Sequence, residues 1–156
     1  MYKMNKVKSA EIFSFIQKIF ETGGAARITV TGTSMYPFLR DGIDSVELSK
    51  TELKLIKRGD IVLAYHKTGE YVLHRIWKND MDKFYMVGDA QTWIDGPYLP
   101  DQLIAAVLRI WRKDKEVSCN SALWRLFVVT WLILRPFRGK IFFVGRKIRK
   151  LIRKFF

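Results

Sequence analysis

The sequence predicts a mainly β fold: an antiparallel, twisted and partly closed β-sheet domain, flanked by an N-terminal amphipathic helix and a C-terminal basic helical tail. Three observations predict it. From Arg27 onward apolar residues recur with a period of two. The turn-forming triplets Arg40-Asp41-Gly42, Lys67-Thr68-Gly69 and Asp95-Gly96-Pro97 cut that pattern into short runs with no helical segment between them. The basic charge is gathered almost wholly at the C-terminal end. Short strands joined by close turns pair with their neighbours in sequence, which favours an antiparallel sheet.

Residues 10–22 place Ile12, Phe13, Phe15, Ile16, Ile19 and Phe20 at helical spacing, with Ser9 as the N-cap and Gly23-Gly24 as the stop. At about 13 residues this helix is well short of the roughly 20 that a membrane span requires, and Glu11, Gln17, Lys18 and Glu21 interrupt its apolar face. The first residues lack the apolar run and small-residue junction of a signal peptide. Strands are expected at 27–32, 44–49, 60–66, 70–78, 83–88 and 103–112. On the strand around His74, Val72 and Ile76 share its face, while Leu73, Arg75 and Trp77 point the other way. The chain thus divides into a helix packed on the core (1–26), a β-rich domain (27–115) and a hydrophobic and basic tail (116–156).

At 156 residues and 18.4 kDa, with 49% hydrophobic residues, the chain is large enough for one real core. The single Cys119 forms no internal disulfide and is compatible with a reducing compartment. The net charge of +13 is unevenly spread. Residues 1–108 hold 14 Lys and Arg against 13 Asp and Glu, whereas residues 109–156 hold 14 against 2. Such a tail calls for an anionic partner, phospholipid or nucleic acid.

Within the tail, residues 122–134 form an apolar run of 13, broken by Arg125, ended by Arg135-Pro136 and too short to cross a bilayer comfortably. Residues 141–156 separate on a helical plot. Ile141, Val144, Ile148, Leu151, Ile152, Phe155 and Phe156 fall on one arc, and Arg146, Lys147, Arg149, Lys150, Arg153 and Lys154 on the other. This is the composition of a helix lying in a membrane interface, where each Lys or Arg near anionic lipid adds roughly 1 kcal/mol. Phe155-Phe156 at an otherwise polar terminus favours lipid over a merely solvated face.

The chemistry gathers in three short segments. Gly32-Thr33-Ser34-Met35-Tyr36-Pro37 offers a nucleophile, Leu73-His74-Arg75-Ile76 a base and Gly88-Asp89-Ala90 an orienting carboxylate. A serine hydroxyl needs a neighbouring group to take its proton during attack. An imidazole with a pKa near about 6.5 can take that proton and return it. Asp89 would hold the ring in one tautomer and stabilise the imidazolium. Flanking by Val72 and Ile76 would partly desolvate His74 and lower its pKa.

These segments resemble the type I signal peptidase family and its wider superfamily of self-cleaving repressors and leader-processing proteases. There a Ser-Met-x-Pro box carries the nucleophile, matched by Ser34-Met35-Tyr36-Pro37. A Lys-Arg-Val box, or His-Arg-Val in the endoplasmic-reticulum-type branch, carries the base, matched by His74-Arg75-Ile76. Gly88-Asp89 matches a Gly-Asp box, and Gly59-Asp60-Ile61-Val62 a segment typical of the group. The likeness runs over residues 28 to 112 and implies a β-sheet domain of the signal peptidase type.

Two departures bear on the site. The family often has a second serine where this chain has Gly32, so an oxyanion site would lean on backbone N–H groups near Ser34 and Met35, with Thr33 or Thr31. The Gly-Asp box usually continues with asparagines, whereas here it runs Ala90-Gln91-Thr92-Trp93-Ile94-Asp95. Asp95 is therefore a rival to Asp89, which is preferred because it sits in the box itself. Met35 and Pro37 shape the nucleophile loop, Arg75 pairs with a carboxylate or lines the substrate groove, and His66 reads as a solvated loop residue.

The expectation is a membrane-associated serine endopeptidase that removes a signal or leader segment from a peptide precursor, peripheral on the cytoplasmic face. It needs no cofactor or metal. Its partners are the peptide or precursor substrate and an anionic membrane surface rather than nucleic acid. The rival is a non-catalytic lipid- or nucleic-acid-binding module on the same fold. A self-cleaving repressor is disfavoured because only about 26 residues, too few for a DNA-binding helix pair, precede the first strand.

Overall fold

The computed structural model describes residues 6–113, 115–117 and 121–155, and the side chains of 13–113, 115–117 and 121–152; Cys119 lies outside them. Helix α1 (Lys6–Glu21) begins before Ser9, which is therefore inside the helix and not its N-cap. It buries Phe13, Ile16 and Phe20 and packs Ile19, all on one stripe. Phe15, expected on that stripe, is exposed, because two residues from Phe13 is about 200° around a helix.

Eight strands form one antiparallel sheet: β1 (Ala26–Thr29), β2 (Asp44–Ser49), β3 (Ile61–Tyr65), β4 (Tyr71–Asn79), β5 (Phe84–Val87), β6 (Asp95–Tyr98), β7 (Leu103–Arg112) and β8 (Lys115–Val117). Their order is β1-β2-β7-β3-β4-β5-β6, with β8 pairing the end of β7 on the edge opposite β2. β1 and β6 are unpaired ends, so the sheet is open and not partly closed. The Asp95-Gly96-Pro97 turn expected from sequence is instead most of β6, an edge strand, where a proline removes no ladder hydrogen bond on its free side.

The strict alternation of side chains gives the sheet two cores. Ile61, Leu63, Ala105 and Ile110 join α1, Met35 and Leu39 on one side. Val62, Ala64, Ile76, Phe84, Met86 and Tyr98 form the other, with Val72 packed on it. A third cluster joins Val87 to helix α2 (Ala122–Ile133) through Val128 and Leu132, with Phe38, Trp77 and Trp124 against it. Helix α2 starts at Ser121, whose hydroxyl accepts from the Trp124 N–H at 3.1 Å. A 3-10 turn at Arg135–Phe137 leads into helix α3 (Arg138–Phe155). Among the described residues no helix is long and apolar enough to cross a membrane.

Candidate active site

Ser34 sits in a turn-rich loop between β1 and β2, held down by two buried side chains, Met35 and Leu39. Full burial of each contributes roughly 1.5–3 kcal/mol, which fixes the backbone around the serine. Gly32, at φ 87°, turns the chain into this loop and donates its N–H to Asp41 Oδ1 at 3.0 Å. That donor is thereby occupied. The loop's far end is clamped by Asp44, whose carboxylate takes hydrogen bonds from Arg112 Nε and Nη2, both at 3.0 Å, while Arg112 also reaches Phe38 O. Burial pushes the Asp44 carboxyl up, but Arg112 and Arg40 outweigh it and hold the group below its ordinary value.

The serine loop and the Gly-Asp box are in direct contact. The Ala90 N–H donates to Ser34 O at 2.7 Å. A Cβ placed on Gly88 would lie 2.8 Å from the same oxygen, so only glycine permits this approach. Gln91 closes the turn by accepting the Gly88 N–H at 3.0 Å. Because Arg75 on β4 pairs with Val87 on β5, the next residue of each strand, His74 and Gly88, stand level with one another. Gly88 is thus the shared neighbour of the serine loop and the His74 strand. Among the described residues the N–H groups of Ser34 and Met35 carry no hydrogen bond; Thr33 and Thr31 are exposed, and Pro37 follows a cis peptide.

His74 is buried, and burial lowers its pKa to about 4 against a weaker upward pull from Asp95. It is therefore neutral at pH 7. Its Nδ1 is enclosed with no hydrogen-bond partner among the described residues, and no bond joins the ring to Ser34 Oγ.

Asp89 does not orient His74. Successive residues of a strand point to opposite faces, so His74 shares a face with Val62 while Arg75 points away from it. Arg75 captures Asp89 on that other face, its Nε lying 2.9 Å from both carboxylate oxygens. Burial pushes the Asp89 carboxyl upward, and the guanidinium of Arg75, with that of Arg138 nearby, opposes it. Arg75 is itself buried, donates to Gly59 O at 2.9 Å and stacks over Phe38 at 4.8 Å. It pairs with a carboxylate, as one expectation had it, but lines no groove.

The rival carboxylate is the one on the histidine's side. Asp95 pairs with Met86, which pairs with Ile76, so it lies on the His74 face, and its charge raises the His74 pKa. Its Oδ2 accepts the Tyr98 hydroxyl at 2.5 Å, and its Oδ1 is 3.7 Å from His66 Nε2. His66 is half-buried in this cluster, not a solvated loop residue. Together with Lys67, Gly96 and Gln102 these groups line a small cleft of about 60 Å³. No three His, Cys, Asp or Glu side chains converge as metal ligands among the described residues.

Sequence reasoning missed the residues that brace the box from behind. Arg138, at the start of α3, is buried and donates from Nη1 to Gly88 O and Gln91 O at 2.8 Å and from Nη2 to Trp131 O at 3.0 Å. The Trp131 indole donates to Asp89 O at 2.9 Å, and Arg135 bonds Thr92 O. Phe142 touches both Trp131 and Tyr36 of the serine loop. No sequence signal marks Arg138, because it precedes the plotted segment 141–156 and reads as one more basic residue of the tail. Of the basic residues expected to bind a membrane, Arg146, Lys147, Arg149 and Lys150 are exposed, and the side chains of Arg153 and Lys154 lie outside those described.

The chain matches no family model, no curated protein and no solved structure.

Proposed function

We propose that the chain is a membrane-associated serine endopeptidase on a signal-peptidase-type sheet, peripheral on the cytoplasmic face, which cleaves a signal or leader segment from a peptide precursor. The convergence of three distant sequence segments carries this reading. Ser34 O meets Ala90 N–H at 2.7 Å, Gly88 closes against the same oxygen, and His74 stands level with Gly88 on the adjoining strand. The approach at Gly88 leaves no room for a side chain there.

Ser34 Oγ attacks the scissile carbonyl as His74 takes its proton, and the tetrahedral oxyanion lies against the N–H groups of Ser34 and Met35. His74 returns the proton to the leaving amine, and water then hydrolyses the acyl-enzyme by the same route. Asp95, the carboxylate whose charge favours the imidazolium, takes the stabilising role. An extended substrate adds to a free sheet edge, either β6, which carries Asp95, or β1, which leads into the Ser34 loop. Met35 and Leu39 pack on the sheet face opposite His74, so the Ser–His contact requires the serine loop to move when substrate binds.

A second reading, a non-catalytic lipid- or nucleic-acid-binding module, is favoured by one observation: His74 Nδ1 has no partner among the described residues. Cleavage of a cognate precursor separates the two. Ser34→Ala and His74→Ala each abolish cleavage without unfolding the domain in a peptidase; full activity in either variant overturns the mechanism.

A further inference from the structure

The tail helices bury one face and leave the other uncovered. On α2, Trp124, Val128, Trp131 and Leu132 face the sheet, and Val128 lies 3.0 Å from where a Cβ on Gly59 would sit. The opposite face carries Leu123, Leu126 (62% exposed), Phe127 (65% exposed) and Ile133, all without cover. On α3, Val144, Ile148, Leu151 and Ile152 are likewise exposed, and among the described residues the first turns, through Arg138 and Phe142, touch the rest of the molecule. Two consecutive helices with this much exposed Leu, Ile, Val and Phe exceed what an isolated soluble surface carries.

We propose that the outward faces of α2 and α3 together form one docking surface for an anionic phospholipid bilayer. The membrane element is thus not the basic helix alone. Charge selects the occupant. Beyond Glu116 the chain has no acidic residue, and Arg125, Lys140, Arg146, Lys147, Arg149 and Lys150 border the apolar face, exposed to solvent. A second copy seated on this face would bring like charges together at close range, whereas anionic headgroups neutralise them while acyl chains cover the apolar side.

The surface is tied rigidly to the site. Trp131, Arg138 and Phe142 sit at the junction of the two helices and contact Asp89, Gly88 and Tyr36. Docking therefore holds the serine loop one helix layer from the bilayer. That placement of a cut site at the membrane surface rests on the peptidase reading; the docking surface does not.

The test is flotation of the full chain with phosphatidylcholine vesicles and with phosphatidylcholine–phosphatidylserine vesicles, at low and high salt, beside a duplex-DNA shift assay. Ser34→Ala serves as the reference, so that binding is read without any cleavage. Selective flotation with phosphatidylserine vesicles, weakened by salt, is expected. Leu126→Ser/Phe127→Ser, which alters only exposed side chains, is expected to lower partitioning at least about tenfold with an unchanged melting temperature. Arg149→Gln/Lys150→Gln is expected to lower it on phosphatidylserine vesicles by about tenfold or more, at roughly 1 kcal/mol per charge. Wild-type partitioning by the α2 variant, a dimer in solution that the same variant dissolves, or binding to DNA in place of vesicles each overturns the proposal.

Discussion

Arg138 Nη1 lies 2.8 Å from Gly88 O, so a residue of the C-terminal tail holds the loop against which Ser34 rests. The tail is therefore part of the site's scaffold as well as a basic appendage. Burial lowers the Arg138 pKa to about 10, which still leaves it charged at neutral pH and donating to three carbonyls.

Replacing Arg138 with Leu removes the side-chain donor from those three carbonyls, of which Gly88 O keeps the Gln91 N–H. Each unsatisfied group costs about 1–3 kcal/mol, and partial solvation of the loop reduces the sum, so a loss of about 3 kcal/mol is expected in urea unfolding. Arg149→Leu, on an exposed position, is expected to change stability by less than about 0.5 kcal/mol. Equal effects at the two sites would contradict the bracing role.

Gly88→Ala sets a methyl group 2.8 Å from Ser34 O. The serine loop or the box must shift to admit it. A melting temperature lower by several degrees is expected, together with loss of reactivity at Ser34 out of proportion to the stability change, because a displacement of about 1 Å at a reacting group can cost about a hundredfold in rate. Unchanged reactivity would sever the link between box and nucleophile.

The two carboxylates separate by phenotype. Asp89→Asn leaves the Arg75 charge buried and uncompensated, and a destabilisation of about 3–5 kcal/mol is expected. Asp95→Asn, at a half-buried edge position, is expected to cost less than about 1 kcal/mol in stability but about a hundredfold or more in the rate at which Ser34 reacts. Measured urea midpoints and reaction rates with the opposite assignment would restore Asp89 to the orienting role.

His74 makes stability depend on pH. An unfolded histidine takes up a proton below about pH 6.5, whereas folded His74 does so only near its lowered pKa of about 4. Between those values the unfolded chain holds more protons, so stability rises with pH across the window and is lost as pH falls toward 4. At about 1.4 kcal/mol per pH unit the His74 contribution amounts to about 3 kcal/mol. His74→Gln is expected to flatten the urea-derived stability profile in that window, and any acid limb of the reaction is expected near pH 4 to 5 and not near 6.5.

Most of the sheet was legible because alternation and turns are local signals. Six strands fall within three residues of their expected limits, and β2 and β7 match them at both ends. β6 was hidden because Asp95, Gly96 and Pro97 are turn formers that an edge strand tolerates, and β8 because three residues carry no periodicity. Ser34 and His74, the proposed nucleophile and base, stand out in the sequence as residue types in short boxes. The partner of Asp89 was not, since a carboxylate in a Gly-Asp turn serves whichever cation the opposite pleat presents. The alternation of His74 and Arg75 decides that only once the register is fixed.

Mass-spectrometric mapping of a fluorophosphonate adduct on the folded chain tests the central claim most directly. The account predicts a single adduct on Ser34, absent from Ser34→Ala and strongly reduced in His74→Ala. A folded protein that takes no label at Ser34, or that labels equally well without His74, would contradict it.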